Sequence, residues 1–408
     1  MTSDLSPAPG DDPGLAALVA DLATAVDTLT PELVALRRDL HANPELSWQE
    51  KRTTDTVASH LDAAGIAYRR LPASGLVADL GAEQASYRVA IRADLDALPV
   101  RERTGLPWSS VTPGVCHACG HDVHTVAVLG AGLALHRHEE ELRERGIGVR
   151  LIFQPAEETI PGGAHEVLAN NGMADVDVVY AVHCDPSVDV GRVALREGAI
   201  TAACDSVTVE LRGHGGHTSR PHLTEDLTFA LAKVVTEVPA ALSRRLDPRA
   251  GAALVWGVIE AGKAPNVIPS SGVCKGTLRM LDAEAWQAVG PLLDELVQQV
   301  VAPYAVTARV DRVKGVPPVV NQSDAVAALR AAAEGVGLGV VPTTQSLGGE
   351  DFAWYLAVTP GAMARLGTRT PGGHTFDLHQ GDLVVDEDAI GHGARFLAAA
   401  VVAQRVKP

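Results

Sequence analysis

No stretch of 18 or more residues in this 408-residue chain is uninterruptedly apolar, which argues against a transmembrane helix. The first residues, MTSDLSPAPGDDPG, have neither a basic opening nor an apolar core, so they do not read as a secretion signal. Their acid, proline and glycine content reads as a disordered leader over residues 1–14. Positive charge is scarce. The 34 Lys and Arg against 50 Asp and Glu leave a formal net charge of −16, which argues against the basic face that a nucleic-acid binder needs. Cysteine is scarce too, and the five present are an odd number for a disulfide framework. They suit a reduced, cytoplasmic protein in which each cysteine either fills the core or holds a metal. Internal repeats and internal low-complexity runs are also missing. What is plentiful is apolar sequence, 46% of the chain, enough for a large core and, at this length, for two domains.

Four short apolar runs read as buried parallel strands: residues 88–92 (RVAIR), 149–153 (VRLIF), 178–182 (VVYAV) and 362–367 (AMARLG). Helical stretches separate them. One, near 15–41, carries Pro31 as a break or kink. Another, over 125–136, is apolar nearly all round. This alternation predicts a doubly wound α/β domain. Residues 205–211, 272–280 and 306–313 alternate polar and apolar instead, as strands with one wet face do. With a further strand at 252–259 and helices near 223–242 and 282–301, they predict a β-α-β-β-α-β, ferredoxin-like α+β unit. The expected division is a larger α/β domain over 15–203 and 318–408, with a small α+β domain inserted at 204–317.

The predicted strands end in chemistry. RVAIR is followed by Asp94 and Asp96, VRLIF by QPAEE with Glu157 and Glu158, and VVYAV by His183. The carboxyl ends of such strands are where α/β sites form, and carboxylates brought together there call for a cation. Residues 116–125, CHACGHDVHT, hold two thiols, three imidazoles and a carboxylate. Thiolate with imidazole suits zinc or a similar divalent ion. Cys119 and His121, two apart, fit a loop leading into a helix that starts near Thr125. Three plainer readings stand beside this one: Cys116 and Cys119 as a C-x-x-C redox pair, a closed structural zinc site, and Glu157 with Glu158 as solvated charges. On a turn the two glutamates point apart, so one can ligate while the other serves as general base. Asp94 can be a ligand or can orient an imidazole. His41 and Asn43 read as a helix end, and Glu350 and Asp351 equally as helix N-terminal charges or as site residues. In GHGGHTSRPH, His217 can donate to an oxyanion or simply order its loop. Arg279 can clamp a substrate carboxylate or be an exposed strand charge, and Asn266 is a single polar group in an apolar segment.

Taken in order, the blocks RRDLHANPELSWQE, RADLDALPV, HACGHDVHT, QPAEE, AVHCDP, GHGGHTSRPH, APNVIP, GTLRM, GGEDF and DLHQGDLVVDEDAIGHG resemble the metallo-aminoacylases. That family includes hippurate hydrolase, N-acyl-amino-acid amidohydrolases and plant indole-acetyl-amino-acid hydrolases. The resemblance covers about residues 36–397. It implies metal-dependent hydrolysis of the amide bond of N-acyl amino acids. It places Cys119, His121, Glu158, His183 and His379 as ligands of two divalent ions, zinc or manganese first, cobalt or nickel as further options. Glu157 becomes the general base, Asp94 the acid that orients the site, and His217, Asn266 and Arg279 substrate-binding or oxyanion-stabilising groups. A homodimer through the inserted domain follows from it as well, with His217 in its own or the partner's site. His379 enters through the resemblance alone. Two departures bear on substrate fit: GHGGHTSRPH has Gly where many relatives have Ala before the His, and DLHQGD lacks the Pro that often follows His379. The rival readings are a metallo-dipeptidase or exopeptidase with the same metals, and a non-catalytic metal-binding protein on the same fold.

Overall fold

A computed structural model describes residues 13–403, so most of the expected leader lies outside the described residues. Pro13 and Gly14 already belong to the first helix, Pro13–Ala42. That helix is continuous through Pro31, so the proline does not break it. The chain forms two compact units. The first holds the described residues up to Gly198, Val320–Thr344, and the residues from Trp354 on. The second holds Ala199–Val319 and Gln345–Ala353.

The first unit is built on an eight-stranded mixed sheet. From edge to edge its strands are Tyr68–Arg70, Leu76–Gly81, Ile147–Gln154, Tyr87–Asp94, Val178–Asp189, Gly361–Arg369, Arg192–Leu195 and Gly339–Pro342. The four strands expected to be parallel are the central four, and they pair parallel throughout. They are almost wholly buried, which is why their sequences are continuous rather than alternating. Antiparallel pairing enters on both sides of this centre, where Leu76–Gly81 joins Ile147–Gln154 and Arg192–Leu195 joins Gly361–Arg369. The helices Pro13–Ala42, His121–Arg137 and Asp388–Val402 pack together against the sheet. Gly132 is what lets the middle one approach: a Cβ there would meet Leu151 Cδ1 at 2.3 Å. This helix begins at His121, not near Thr125. Gly120, at φ 86°, turns the backbone into it, and a side chain at that position would strike Cys184 Sγ at 2.8 Å.

The second unit runs β-α-β-β-α-β: Ala203–Arg212, Leu227–Arg245, Ala253–Ala261, Ser271–Met280, Ala283–Val301 and Thr307–Val316. Its antiparallel sheet has the order second, third, first, fourth strand. Asp226 and Asp282 cap the two helices by accepting from Phe229 N and Ala285 N. The loop Gln345–Ala353 groups with this unit, although the sequence boundaries place it with the first. Its backbone explains why: Ser346 N donates to Ile200 O, and Ala202 N to Gly348 O.

One buried charge organises the second unit. Asp205 is fully buried and accepts from Trp286 Nε1 (2.9 Å), Arg312 Nε (2.5 Å) and Gly315 N (3.0 Å). Arg312→Ala leaves that carboxylate without its cation. The expected loss is about 3 kcal/mol, read from the urea midpoint of the unit's transition. A change under about 1 kcal/mol would mean that Trp286 and Gly315 suffice to hold the charge.

Candidate metal centre

All the expected metal ligands stand on the first unit. His121 opens its helix, His183 lies on Val178–Asp189, Glu158 follows the strand Ile147–Gln154, and Cys119 precedes Gly120. His379 comes from an exposed loop at φ 62° and is tied in by its own backbone, His379 N donating to Ala118 O at 2.8 Å. The donor atoms gather into two overlapping groups, Cys119 with His121 and His183, and Cys119 with Glu158 and His379; within each group they lie within 4.8 Å of one another. Cys119 is common to both, so these five residues would offer two cations two donor groups with one thiol in common. Glu157 joins His121 and Glu158 in a further group.

The hydrogen bonds fix which imidazole nitrogens face this centre. His121 Nδ1 donates to Asp96 O (2.9 Å), which leaves Nε2 as a lone pair. His183 Nδ1 donates to Cys184 O (2.8 Å), and its Nε2 stands 3.5 Å from Cys119 Sγ. His121 Nε2 is buried and makes no hydrogen bond among the described residues; Glu158 Oε1 lies 3.9 Å from it and is paired with His379 Nε2 at 3.3 Å. A cation accounts for the His121 orphan. His124 also falls in a donor group, with Asp94 and His121. Both its nitrogens are committed, however: Nε2 accepts from Cys184 N (2.8 Å) and Nδ1 donates to Asp94 Oδ1 (2.6 Å). Asp94 also accepts from Arg92 through Oδ2 at 2.5 Å, so each of its oxygens already has a partner. The donor set of thiol, imidazoles and carboxylate fits a borderline divalent ion.

Without a cation, the electrostatics show how strongly the site is desolvated. Burial pushes the Cys119 thiol up. Burial, reinforced by the charge of Arg365, holds His183 well below the ordinary imidazole range. His379 is raised to about 10 by hydrogen bonding to Cys119 and then to Glu158. Burial would also raise Asp94, but His121, His124 and Arg92 together bring it well below the usual carboxylate range.

Two carboxylates that the sequence reading left without a role hold the turn carrying Glu157 and Glu158. Asp96 accepts from Glu157 N (3.0 Å), Glu158 N (2.9 Å) and Ser47 Oγ (2.7 Å). Glu50 accepts from Ala156 N (2.7 Å) and Ser74 Oγ (2.6 Å). Three successive amides are thus gripped by two buried acids, and Ala156 between them sits at φ 51°. His41 is a helix end, as expected, and is also ion-paired to Asp122 and Glu102. All five cysteines are free, Cys116 and Cys119 included.

The remaining expected residues stand on the second unit. The strands Gly216–His217 and Val267–Ile268 pair, and Thr218 N donates to Asn266 O, so His217 and Asn266 are neighbours. Ser219 N donates to His217 Nδ1 (3.1 Å), which puts the proton of the neutral ring on Nε2. Arg279 is half-buried on Ser271–Met280 and donates to Leu347 O. Glu350 and Asp351 are buried; Glu350 accepts from Phe352 N just ahead of the short helix Ala353–Leu356.

A family model described as Peptidase family M20/M25/M40 matches residues 90–403. A Rhodococcus jostii protein named putative glutamate–cysteine ligase 2-3 is 48% identical over 90% of this chain. The chain spans 46% of that longer protein, about half its length. The N-acetyl-L-cysteine deacetylase of Bacillus subtilis is 37% identical, over 91% of this chain and 88% of its own. A solved Bacillus subtilis structure, described as a dinuclear metal binding peptidase of the M20 family, matches with a TM-score of 0.81 at 31% identity. That match covers 92% of this chain and 98% of the other.

Cys119→Ala removes the donor shared by both groups. Elemental analysis of the purified variant is expected to find less than about half the divalent metal of the parent protein. Unchanged metal content would rule out the shared-sulfur arrangement.

Proposed function

The chain belongs to the peptidase family M20/M25/M40, and from that premise we propose that it hydrolyses the amide bond of N-acyl amino acids. The observation that carries this reading is the pair of donor groups sharing Cys119, with Glu157 beside them. Cys119, His121, Glu158, His183 and His379 would hold two divalent cations, which would supply Lewis acidity toward an amide carbonyl and toward water; zinc or manganese would suit these donors. Glu157 takes the proton of the attacking water and returns it to the leaving amine. Asp94 keeps His124 and the strand end beneath the site in place. In the second unit, His217 offers an Nε2–H donor of the kind that stabilises an oxyanion. Asn266 and Arg279 offer amide and guanidinium contacts to a substrate. The substrate class is supported by the similar Bacillus protein, whose name is that of an N-acetyl-L-cysteine deacetylase. The five free thiols suit a reducing, cytoplasmic setting. Among the described residues no helix is long and apolar enough to cross a membrane.

A homodimer through the second unit is part of the reading. The strand Ala253–Ala261 is an edge, paired on one side only, and exposes Val255 (63%) and Ile259 (57%). An apolar edge of that kind is a pairing surface. Ile259→Lys with Val255→Lys is expected to convert the dimer to a monomer in light scattering after size exclusion. A parent protein that is already monomeric ends the dimer reading.

Glu157→Gln tests the base. Turnover of an N-acetyl amino acid is expected to fall about 10²-fold or more, with metal content by elemental analysis unchanged. Turnover within a few-fold of the parent would reject the assignment. Assaying a free dipeptide beside the N-acetyl amino acid separates the reading from a dipeptidase, since only the dipeptide carries a free α-amine.

A further inference from the structure

Three arginines of the described chain are buried: Arg37, Arg92 and Arg365, at 3%, 1% and 8% exposure. Arginine is seldom buried unless it is paired. Arg37 pairs with Asp122 at 2.7 Å and Arg92 with Asp94 at 2.5 Å. Arg365 has no ion pair and no side-chain hydrogen bond among the described residues, and no carboxylate lies within 4 Å of it. It is therefore a cation buried along its stem, with its guanidinium open to solvent, that the described residues leave without a counter-ion.

Its place is fixed by one sheet. Arg365 on Gly361–Arg369 is the register partner of His183 on the parallel strand Val178–Asp189, and of Ala194 on the other side. Register partners project from the same face of a sheet. The Arg365 side chain thus runs alongside His183, whose Nε2 is 3.5 Å from Cys119 Sγ. Both strands belong to the first unit, so the guanidinium and the imidazole project from one face of one sheet. The charge of Arg365 is also the largest neighbouring influence on His183.

We propose that Arg365 is a specificity-determining residue that binds the α-carboxylate of the acyl amino acid beside the metal centre. The inference rests on the activity proposed above. A carboxylate is the one group that the proposed substrate class always carries and that a planar guanidinium engages with two parallel hydrogen bonds. Sequence reasoning offered this task to Arg279, but Arg279 already donates to Leu347 O and is only half-buried. Arg365 has no such partner, and binding the substrate supplies one.

Two matched substrates test the assignment on metal-loaded, full-length protein: an N-acetyl amino acid and its primary carboxamide. Arg365→Met is expected to raise KM for the acid about tenfold or more. Its kcat should stay within about threefold, and the carboxamide should be unaffected. Arg365→Lys, which keeps the charge but loses the fork, recovers part of the difference. Equal losses on acid and carboxamide, or no change on either, overturns the proposal. So does loss of the acid preference in Arg279→Ala while Arg365→Met keeps it. Calorimetric titration with an N-alkyl amino acid, which has the carboxylate but no scissile amide, reads the contact without turnover. Arg365→Met should weaken it by about tenfold or more, and equal affinity overturns the inference. A parent protein that binds this ligand through Arg365 yet hydrolyses neither amide would sink the proposed activity and leave the arginine contact standing.

Discussion

Desolvated charge at the carboxyl ends of three neighbouring strands is the constraint around which this molecule is arranged. Asp94, Asp96, His121 and His124 are at most 1% exposed, and Glu157, Glu158 and His183 are nearly as sealed. Carboxylates and imidazoles taken out of water are stable only when each has a partner. Asp94 has Arg92 and His124, and Asp96 has two backbone amides and a hydroxyl. Once those pairs are made, the atoms still open to a cation include Cys119 Sγ and the Nε2 atoms of His121 and His183, with Glu158 and His379 beside them. Their donor types suit a divalent ion. The surrounding polar network therefore does more than support the site. It engages Asp94, Asp96, His124 and the Nδ1 atoms of His121 and His183, and leaves the Nε2 atoms of those two imidazoles for the centre.

The same network sets orientation. His121 and His183 are each held by a backbone carbonyl at Nδ1, which decides their tautomer before any cation arrives. The turn at Glu157 and Glu158 is held through its amides, so neither side chain is needed to keep its own backbone in place. Both carboxylates can then differ in task although they are adjacent in sequence.

Legibility in the sequence followed burial. The four central strands could be read because strands covered on both faces are continuously apolar, and the residues after them announced the site. Glu157, Glu158 and His183 were visible for that reason, and Cys119 and His121 through the density of thiols and imidazoles over 116–125. His379 was not. It is exposed, lies in a loop without periodicity, and reaches the cluster through one backbone bond to Ala118. Glu50 and Asp96 were hidden differently. Their partners lie 106 residues away for Glu50 and 61 and 62 for Asp96, and no local pattern encodes such a pairing. The helix start moved from Thr125 to His121 because Gly120 accepts a left-handed backbone that lets the helix begin at the ligand itself. Arg365 looked like part of an apolar strand, and only the register beside His183 gives it meaning.

Part of the backbone strain lies at the same centre. Of the six described non-glycine residues in the left-handed region, Trp48, Ala156 and His379, at φ 67°, 51° and 62°, belong to its segments, while Asn171, Asp175 and Ala305 lie on others. Each such residue costs on the order of 1–3 kcal/mol and persists only where its surroundings over-determine it. Trp48 lies between Ser47, which binds Asp96, and Glu50, which binds Ala156 N. Ala156 precedes the two glutamates, and His379 bears a donor. On these three segments the strain is held by the buried acids and by the backbone bond to Ala118. These bonds are made by the chain alone. A cation entering this centre meets donors whose positions are already set, so its binding energy is not spent on ordering the loops that present them.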